Sequence, residues 1–490
     1  MRALAVQPLP GLVDPGVYVR NCYMEPLGLE YVAAALRDAG HDVEVRHPVR
    51  ADGEFHDIFE SGTYDVVCFS VYTYALNLCY RCAEAAKRIN PDVFVVFGGH
   101  HPSLMPEETL ANPAVDAVVI GEGEVTCSLL LDHWADGKSL REIPGIGYRE
   151  GTAVVVNRES PRIQELDLVP WPVRDPALLR SASNYQVITP PPSGQRAVAQ
   201  ILYSRGCRYD CRYCTSPVMW KHDVKWRSPS SVLDEIEYLS ANNGVNLFYF
   251  CDLTLNTDKD RLIELCDEFI RRRTRVAWWG LFSPDVLDAE LLSALKSAGC
   301  VKLSIGVEGA DPESFRFLKG ARKVEWDSVA RLFETAWSED LITRGFFMIG
   351  NEWDTQDYFE KLEEYIRQVS MDDVRIGFTV PFPGTAAYAE LRERGGLRSS
   401  CFEDYTTEIP VIGNRFSSEE LYEWQRRLAE SLYLSPKYAE RVALRCKSHP
   451  EFAPSYTEHF AFLSSQAGVS DVMRKRLQLL AVIAEGGSDA

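Results

Sequence analysis

The chain has 490 residues, 46% of them hydrophobic and 25% charged, with a formal net charge of −19 at pH 7. That length exceeds one ordinary core and predicts two or three domains. The acidic balance argues against a nucleic-acid partner, because phosphate contacts need a basic face; it suits a cationic substrate and simple solubility equally. No apolar run reaches the length of a membrane span, which predicts no membrane partner. The opening Met1-Arg-Ala-Leu-Ala-Val-Gln reads as a buried strand rather than a signal peptide. The 13 cysteines follow no framework outside one triplet. Without a secretory signal they read as reduced thiols, and a cytoplasmic location is expected.

Residues 1–150 alternate apolar runs with amphipathic stretches. Strands are predicted over Ala3–Pro8, Asp42–Arg46, Asp65–Val71, Val93–Phe97 and Val115–Ile120, with helices such as Leu27–Ala39 and Leu76–Ile89 between them. That order specifies a doubly wound parallel sheet, α/β and Rossmann-like, whose ligand site lies beyond the carboxyl ends of the strands. The third strand is followed by Ser70-Val-Tyr72-Thr73, the fourth by Gly98-Gly99-His100-His101-Pro102 and the fifth by Gly121-Glu122-Gly123-Glu124. Glycines here allow a large flat ligand to approach the backbone. For the histidines, ligand contact and plain loop packing or capping are both open.

Residues 151–197 are expected to form a linker. The connector begins earlier, at residue 137, with turn residues between apolar runs over Gly137–Asn157 that predict a short hairpin; the proline-rich Leu168–Arg174 and Pro190-Pro-Pro-Ser-Gly-Gln follow. From Val198 to about residue 400 the alternation resumes. Strands are predicted over Ala199–Ser204, Asn246–Cys251, Val276–Leu281, Lys302–Val307, Thr343–Ile349 and Val374–Val380, six units of a partial (β/α)6 barrel with its chemistry at the strand ends. Residues 401–490 carry no motif and read as a helical segment, with helices over Ser417–Leu434 and Pro436–Arg445 capped by Ser417 and Ser435. They are expected to cover the barrel and help shape a substrate pocket.

The first barrel strand leads into Ser204-Arg-Gly-Cys207-Arg-Tyr-Asp-Cys211-Arg-Tyr-Cys214. Three thiolates in this Cys-x3-Cys-x2-Cys spacing can ligate three irons of a four-iron cluster and leave the fourth open. A zinc site and three unrelated thiols are the alternatives. Further strand ends carry Cys251-Asp252-Leu-Thr254, Gly306-Val307-Glu308-Gly309 and Pro381-Phe382-Pro383-Gly384, and Trp226-Arg227-Ser228-Pro229 follows the cysteine loop. Asp252 and Glu308 read alternatively as loop-capping carboxylates. Of the remaining thiols, only Cys251 stands at a strand end, where it can donate hydrogen.

These motifs resemble the radical S-adenosylmethionine (SAM) enzymes, and with the first 150 residues they resemble the subclass with an N-terminal cobalamin (B12)-binding domain. The resemblance implies a [4Fe-4S] cluster on Cys207, Cys211 and Cys214, and SAM held with the help of Tyr213, Arg227 and Glu308. It implies cobalamin against Ser70, Thr73, Gly98, Gly99, His101, Gly121 and Glu122, without the Asp-x-His-x-x-Gly motif that supplies an axial histidine. Cys251 and Asp252 stand where relatives often carry two acids, and are the candidate catalytic pair. The implied chemistry is a 5′-deoxyadenosyl radical abstracting hydrogen from an unactivated carbon of a small-molecule substrate, with electrons from a flavodoxin or ferredoxin. Methyl transfer from cobalamin in natural-product biosynthesis is the first expectation. The alternative is a dehydration or epimerisation of an amino sugar, with Glu352, Asp354 and Asp357 holding its ammonium groups. A cobalamin- or redox-sensing binding protein is a third reading, disfavoured by the SAM-type loops.

Overall fold

The computed structural model describes residues 1–9, 25–49, 51–180, 197–320, 326–466 and 469–486. The predicted Pro190-Pro-Pro-Ser-Gly-Gln linker and the last four residues lie outside them.

The first sheet contains β1 (Arg2–Pro8), β2 (Asp42–Val49), β3 (Val66–Ser70), β4 (Phe94–Gly98), β5 (Ala117–Val119), β6 (Ile146–Glu150) and β7 (Ala153–Asn157), in the order β2-β1-β3-β4-β5-β6-β7. β1 to β5 pair in parallel. Their Val- and Phe-rich cores are buried on both faces, the composition that a sheet covered on both sides by helices requires. The strand order reverses between β1 and β3, which makes the carboxyl edge there a ligand crevice. The hairpin read as part of the connector instead pairs antiparallel onto β5 through Ala117↔Tyr148 and extends this sheet.

β8 (Val198–Ile201) opens the second sheet. A two-stranded ribbon of β9 (Ser204–Arg205) and β10 (Lys225–Trp226) brackets the cysteine loop. Then follow β11 (Leu247–Phe250), β12 (Ala277–Phe282), β13 (Cys300–Glu308), β14 (Ile342–Ile349) and β15 (Asp373–Phe378). The order β15-β14-β13-β12-β11-β8 is parallel throughout, an open six-stranded barrel.

The helices Ser418–Leu434, Pro436–Ser448, Ala453–Ser465 and Asp471–Ala484 close the chain. Ser417 caps the first of these in a capping box with Glu420, as expected, whereas Ser435 makes no side-chain cap bond. The hydroxyls of Tyr433, Tyr438 and Tyr456 all donate to Asp372 or Asp373, at the start of β15. The first of these helices runs along β15, from Tyr422 edge-on against Phe378 to Tyr433 on Asp373, and the tyrosines of the next two gather at the amino end of the strand. The terminal helices do not shape the cavity described below, contrary to expectation.

A buried ion network joins linker, first domain and barrel. Arg174 reaches Glu25 at 3.0 Å, Glu30 at 3.7 Å and Glu235 at 2.8 Å, and Arg227 meets the other oxygen of Glu235 at 2.5 Å. Removing one member of such a set leaves uncompensated buried charge, which costs about 3–5 kcal/mol. Arg174→Met should lower the denaturant midpoint accordingly, with Arg174→Lys recovering only part, because a point charge cannot serve three carboxylates spread around a planar fork.

Candidate active site between the two domains

The cysteine loop leaves the barrel through a tightly held stem. Asp252, at the end of β11, accepts from the Tyr203 N–H at 3.2 Å and from the Ser204 N–H and Oγ, both at 2.5 Å. Burial pushes its carboxyl up to about 6 against these bonds. The candidate catalytic acid is thus committed to positioning the stem, and it does not line the cavity. Gly206 follows with φ +115°, and a Cβ there would lie 2.1 Å from the Asp223 carbonyl oxygen, so the stem turns only with glycine.

Within the loop Cys207 is buried, while Cys211 and Cys214 are partly exposed. The Ser216 N–H donates to Cys214 Sγ at 3.4 Å, and the Cys214 thiol donates to Ser216 Oγ at 3.3 Å. An N–H donor of this kind stabilises a ligating thiolate. Among the described residues no three His, Cys, Asp or Glu side chains converge on a point that one ion could occupy. Three thiols on one loop at the Cys-x3-Cys-x2-Cys spacing fit three irons of a four-iron cluster with the fourth left open.

Glu308 ends β13 in a left-handed conformation, φ +68°. A non-glycine residue held there stores backbone strain of about 1–3 kcal/mol, a cost that clusters at functional sites. Its carboxylate accepts from Lys319 Nζ at 2.8 Å and from the Tyr213 hydroxyl at 3.3 Å. Gly306 makes room for it: a Cβ there would stand 2.6 Å from Glu308 Oε1. Tyr213 also borders a small pocket of about 50 Å³ together with Asn351, Trp353 and Thr379. Asn351 Oδ1, Trp353 Nε1 and Thr379 Oγ1 are buried there without a hydrogen-bond partner. An acceptor, a ring N–H and a hydroxyl left unsatisfied around one space suit the edge of a polar heterocycle such as the adenine of SAM. Thr379 was not singled out from the sequence; its place just beyond β15 was the available signal.

Arg227 is not at this site. Its guanidinium is spent on Glu235, the Leu202 carbonyl and Ser231, so its part is in the core network rather than in holding SAM. The carboxylates expected to receive an amino sugar are likewise engaged. Glu352 pairs with Arg394, and Asp357 with Lys361 at 2.7 Å. Asp354 is fully buried and accepts from the Gly350 and Asn351 N–H groups at 2.7 and 2.9 Å.

A cavity of about 340 Å³ lies between the carboxyl edge of the first sheet and the barrel mouth. Ser70, Gly98, Gly99, Gly121 and Glu122 line it from the first domain, and Ser204, Gly206, Cys251 and Leu253 from the barrel. The strand ends singled out in the sequence therefore do meet there. Gly99 and Gly121 take positive φ, +96° and +81°, and an added Cβ would press on the Val71 backbone at 3.0 Å or on Ser160 Oγ at 2.4 Å. Gly98 is open, with nothing nearer than 3.9 Å, and so leaves bare backbone for a flat ligand.

Three of the residues expected to meet cobalamin are reassigned. His101 and Thr73 turn away from the cavity: His101 Nδ1 lies 3.3 Å from Thr73 Oγ1, the ring packs edge-on against Phe402, and burial pushes its pKa down to about 4. The neighbouring His100, stacked on Tyr72 at 5.5 Å, lines the cavity instead. Glu122 is saturated by protein groups, with Arg162 at 2.9 Å, the Ile163 N–H at 2.8 Å and Arg205 at 3.1 Å, while Arg205 also meets Glu124 at 2.6 Å. These acids clamp the cysteine-loop stem to the first domain.

Changing Cys207, Cys211 and Cys214 together to Ala should abolish iron and sulfide incorporation on anaerobic reconstitution, while Cys446→Ala retains both; full SAM cleavage by the triple variant would remove the cluster assignment. Burial raises the Asp354 carboxyl from 3.8 to about 7. A raised folded pKa means that the stability this group contributes is complete below pH 3.8 and is lost as pH climbs through about 7. The stability of Asp354→Asn relative to the parent should therefore rise across that window and level off above it, measured by denaturant titrations at stepped pH.

Comparison with known proteins accords with this geometry. The B12 binding domain family matches residues 16–131 and the Radical SAM superfamily residues 201–377. An uncharacterised methyltransferase of Pyrococcus horikoshii is 29% identical over 84% of this chain and 88% of its own. The anaerobic magnesium-protoporphyrin IX monomethyl ester cyclase of Rubrivivax gelatinosus is 27% identical over 79% of this chain and 69% of its own. The fold matches that of TsrM from Kitasatospora setae, a radical SAM methyltransferase solved with cobalamin and a [4Fe-4S] cluster, at TM-score 0.69 and 17% identity, over 99% of each chain. The chain therefore carries a B12 binding domain followed by a radical SAM domain.

Proposed function

We propose that the protein is a cobalamin-dependent radical SAM methyltransferase acting on a carbon, or phosphorus, of a small molecule in natural-product biosynthesis. The observation that carries this reading is the single cavity shared by the glycine-bearing edge of the first sheet and the strand ends of the barrel. Cys207, Cys211 and Cys214 would hold the cluster; Glu308, Tyr213 and the unsatisfied polar atoms of Asn351, Trp353 and Thr379 would hold SAM; and Ser70, Gly98, Gly99, His100 and Gly121 would cradle cobalamin. When bound, the cluster and SAM supply the 5′-deoxyadenosyl radical and cobalamin supplies the methyl group. The chain supplies placement and exclusion of water. Asp252 and Gly206 aim the cysteine loop, and Glu122, Glu124 and Arg205 set its distance from the first domain. The partly exposed Cys211 and Cys214 leave that loop approachable by a flavodoxin or ferredoxin.

A reaction without methyl transfer is the second reading. It is favoured by a cyclase among the relatives, and no longer by the acidic turn, whose carboxylates are engaged. No helix among the described residues is long and apolar enough to cross a membrane, which accords with a freely diffusing enzyme working in the cytoplasm.

Gly98→Leu is the test. The position tolerates a Cβ, so the variant should fold and keep its iron. It should lose retained cobalamin and the transfer of a deuterated methyl group from SAM to cobalamin, yet still release 5′-deoxyadenosine. Gly99→Leu should instead destabilise the domain through Val71. Full activity from cobalamin-free enzyme would replace the methyltransferase reading with the second one.

A further inference from the structure

Cys251 directly follows β11 at the barrel mouth and lines the shared cavity. Its thiol donates to the Ile201 carbonyl at 3.3 Å. Burial, reinforced by neighbouring Asp252, pushes the thiol far above its ordinary range, so it stays protonated and is neither a metal ligand nor a nucleophile. The buried Cys266 and Cys300 belong to the hydrophobic core and do not reach the cavity.

Glu25, an electrostatic neighbour of Cys251, lines the same space and is 6% exposed. Its Oε2 is taken by Arg174 at 3.0 Å and the Gln200 N–H at 2.8 Å, and its Oε1 has no partner. A buried carboxylate oxygen left unmatched marks this wall as one built to meet a polar group that the chain itself does not provide.

We propose that Cys251 is a hydrogen-atom donor to carbon radicals formed in this cavity, giving the enzyme a radical-quenching outcome distinct from methyl transfer. The S–H bond breaks homolytically, the C–H bond forms, and a thiyl radical is left on Cys251. One electron from a reduced flavodoxin- or ferredoxin-type carrier and one proton from solvent restore the thiol. The carbon centre is reduced, and the chain returns to its starting state. Where the deoxyadenosyl radical has taken hydrogen from one face of a substrate carbon, donation from the opposite face inverts that carbon rather than adding to it.

The deoxyadenosyl radical itself serves as the probe. Reconstituted enzyme is given SAM and titanium(III) citrate in D2O, with no added thiol and no substrate, so that Cys251 carries S–D. The wild type should place deuterium at the 5′ carbon of 5′-deoxyadenosine, and Cys251→Ser, loaded with the same iron, should lose that label. A second variant separates loss of the S–H from a change of fold: Cys251→Ala, which removes the S–H and adds no hydroxyl, should also lose the label while keeping the same iron and the same yield of 5′-deoxyadenosine. Unlabelled wild-type product, or equal label in either variant, overturns the proposal.

Discussion

The architecture depends on one buried guanidinium. Arg205 stands two residues before the first cluster cysteine and grips Glu122 and Glu124, at the start of the helix that follows β5. Both partners are almost wholly removed from water. A charge set of that kind persists only where partners and hydrogen bonds are complete, and here they are: Arg162 and the Ile163 N–H take the remaining oxygen of Glu122. The distance between the glycine-lined edge of the first sheet and the cysteine loop is thereby held by ion pairs rather than left to a flexible linker. Two cofactor platforms that must cooperate across a gap need that kind of fixed spacing.

The same division of labour runs through the site. Residues that would touch a ligand are few, and each is held by a neighbour with no other task. Asp252 spends its lone pairs on the stem. Gly306 exists so that the strained Glu308 can be accommodated. At the other end of the barrel, three tyrosines and two aspartates tie the terminal helices to β15.

Much of this was legible in the sequence where the physics is local. Cluster-ligand spacing lies within eight residues, Cys207 to Cys214. Parallel strands read as unbroken apolar runs because both faces are buried. What escaped depends on partners far away in the chain. Glu122 looks like a ligand residue until Arg205, 83 positions on, is seen to claim it. Arg227 looked like a cofactor contact until Glu235 faced it. His100 and His101 are adjacent, and only the start of their short helix decides which ring turns into the cavity. The hairpin after β5 has the same alternation whether it floats in a linker or pairs with a sheet edge, so its membership in the first sheet is tertiary information.

The Arg205 clamp also bears on modularity. Domain pairs joined only by a linker can be recombined, since each half keeps its own core. Here the two acids lie in the first domain, Arg205 inside the stem of the cysteine loop, and a fourth member, Arg162, in the segment between them. A foreign first domain lacking Glu122 and Glu124 would leave Arg205 buried without a counter-charge beside the cluster loop. A chimaera that grafts this barrel onto another first domain would have to carry all four charges as one unit, so the boundary that matters for recombination runs through the charge set.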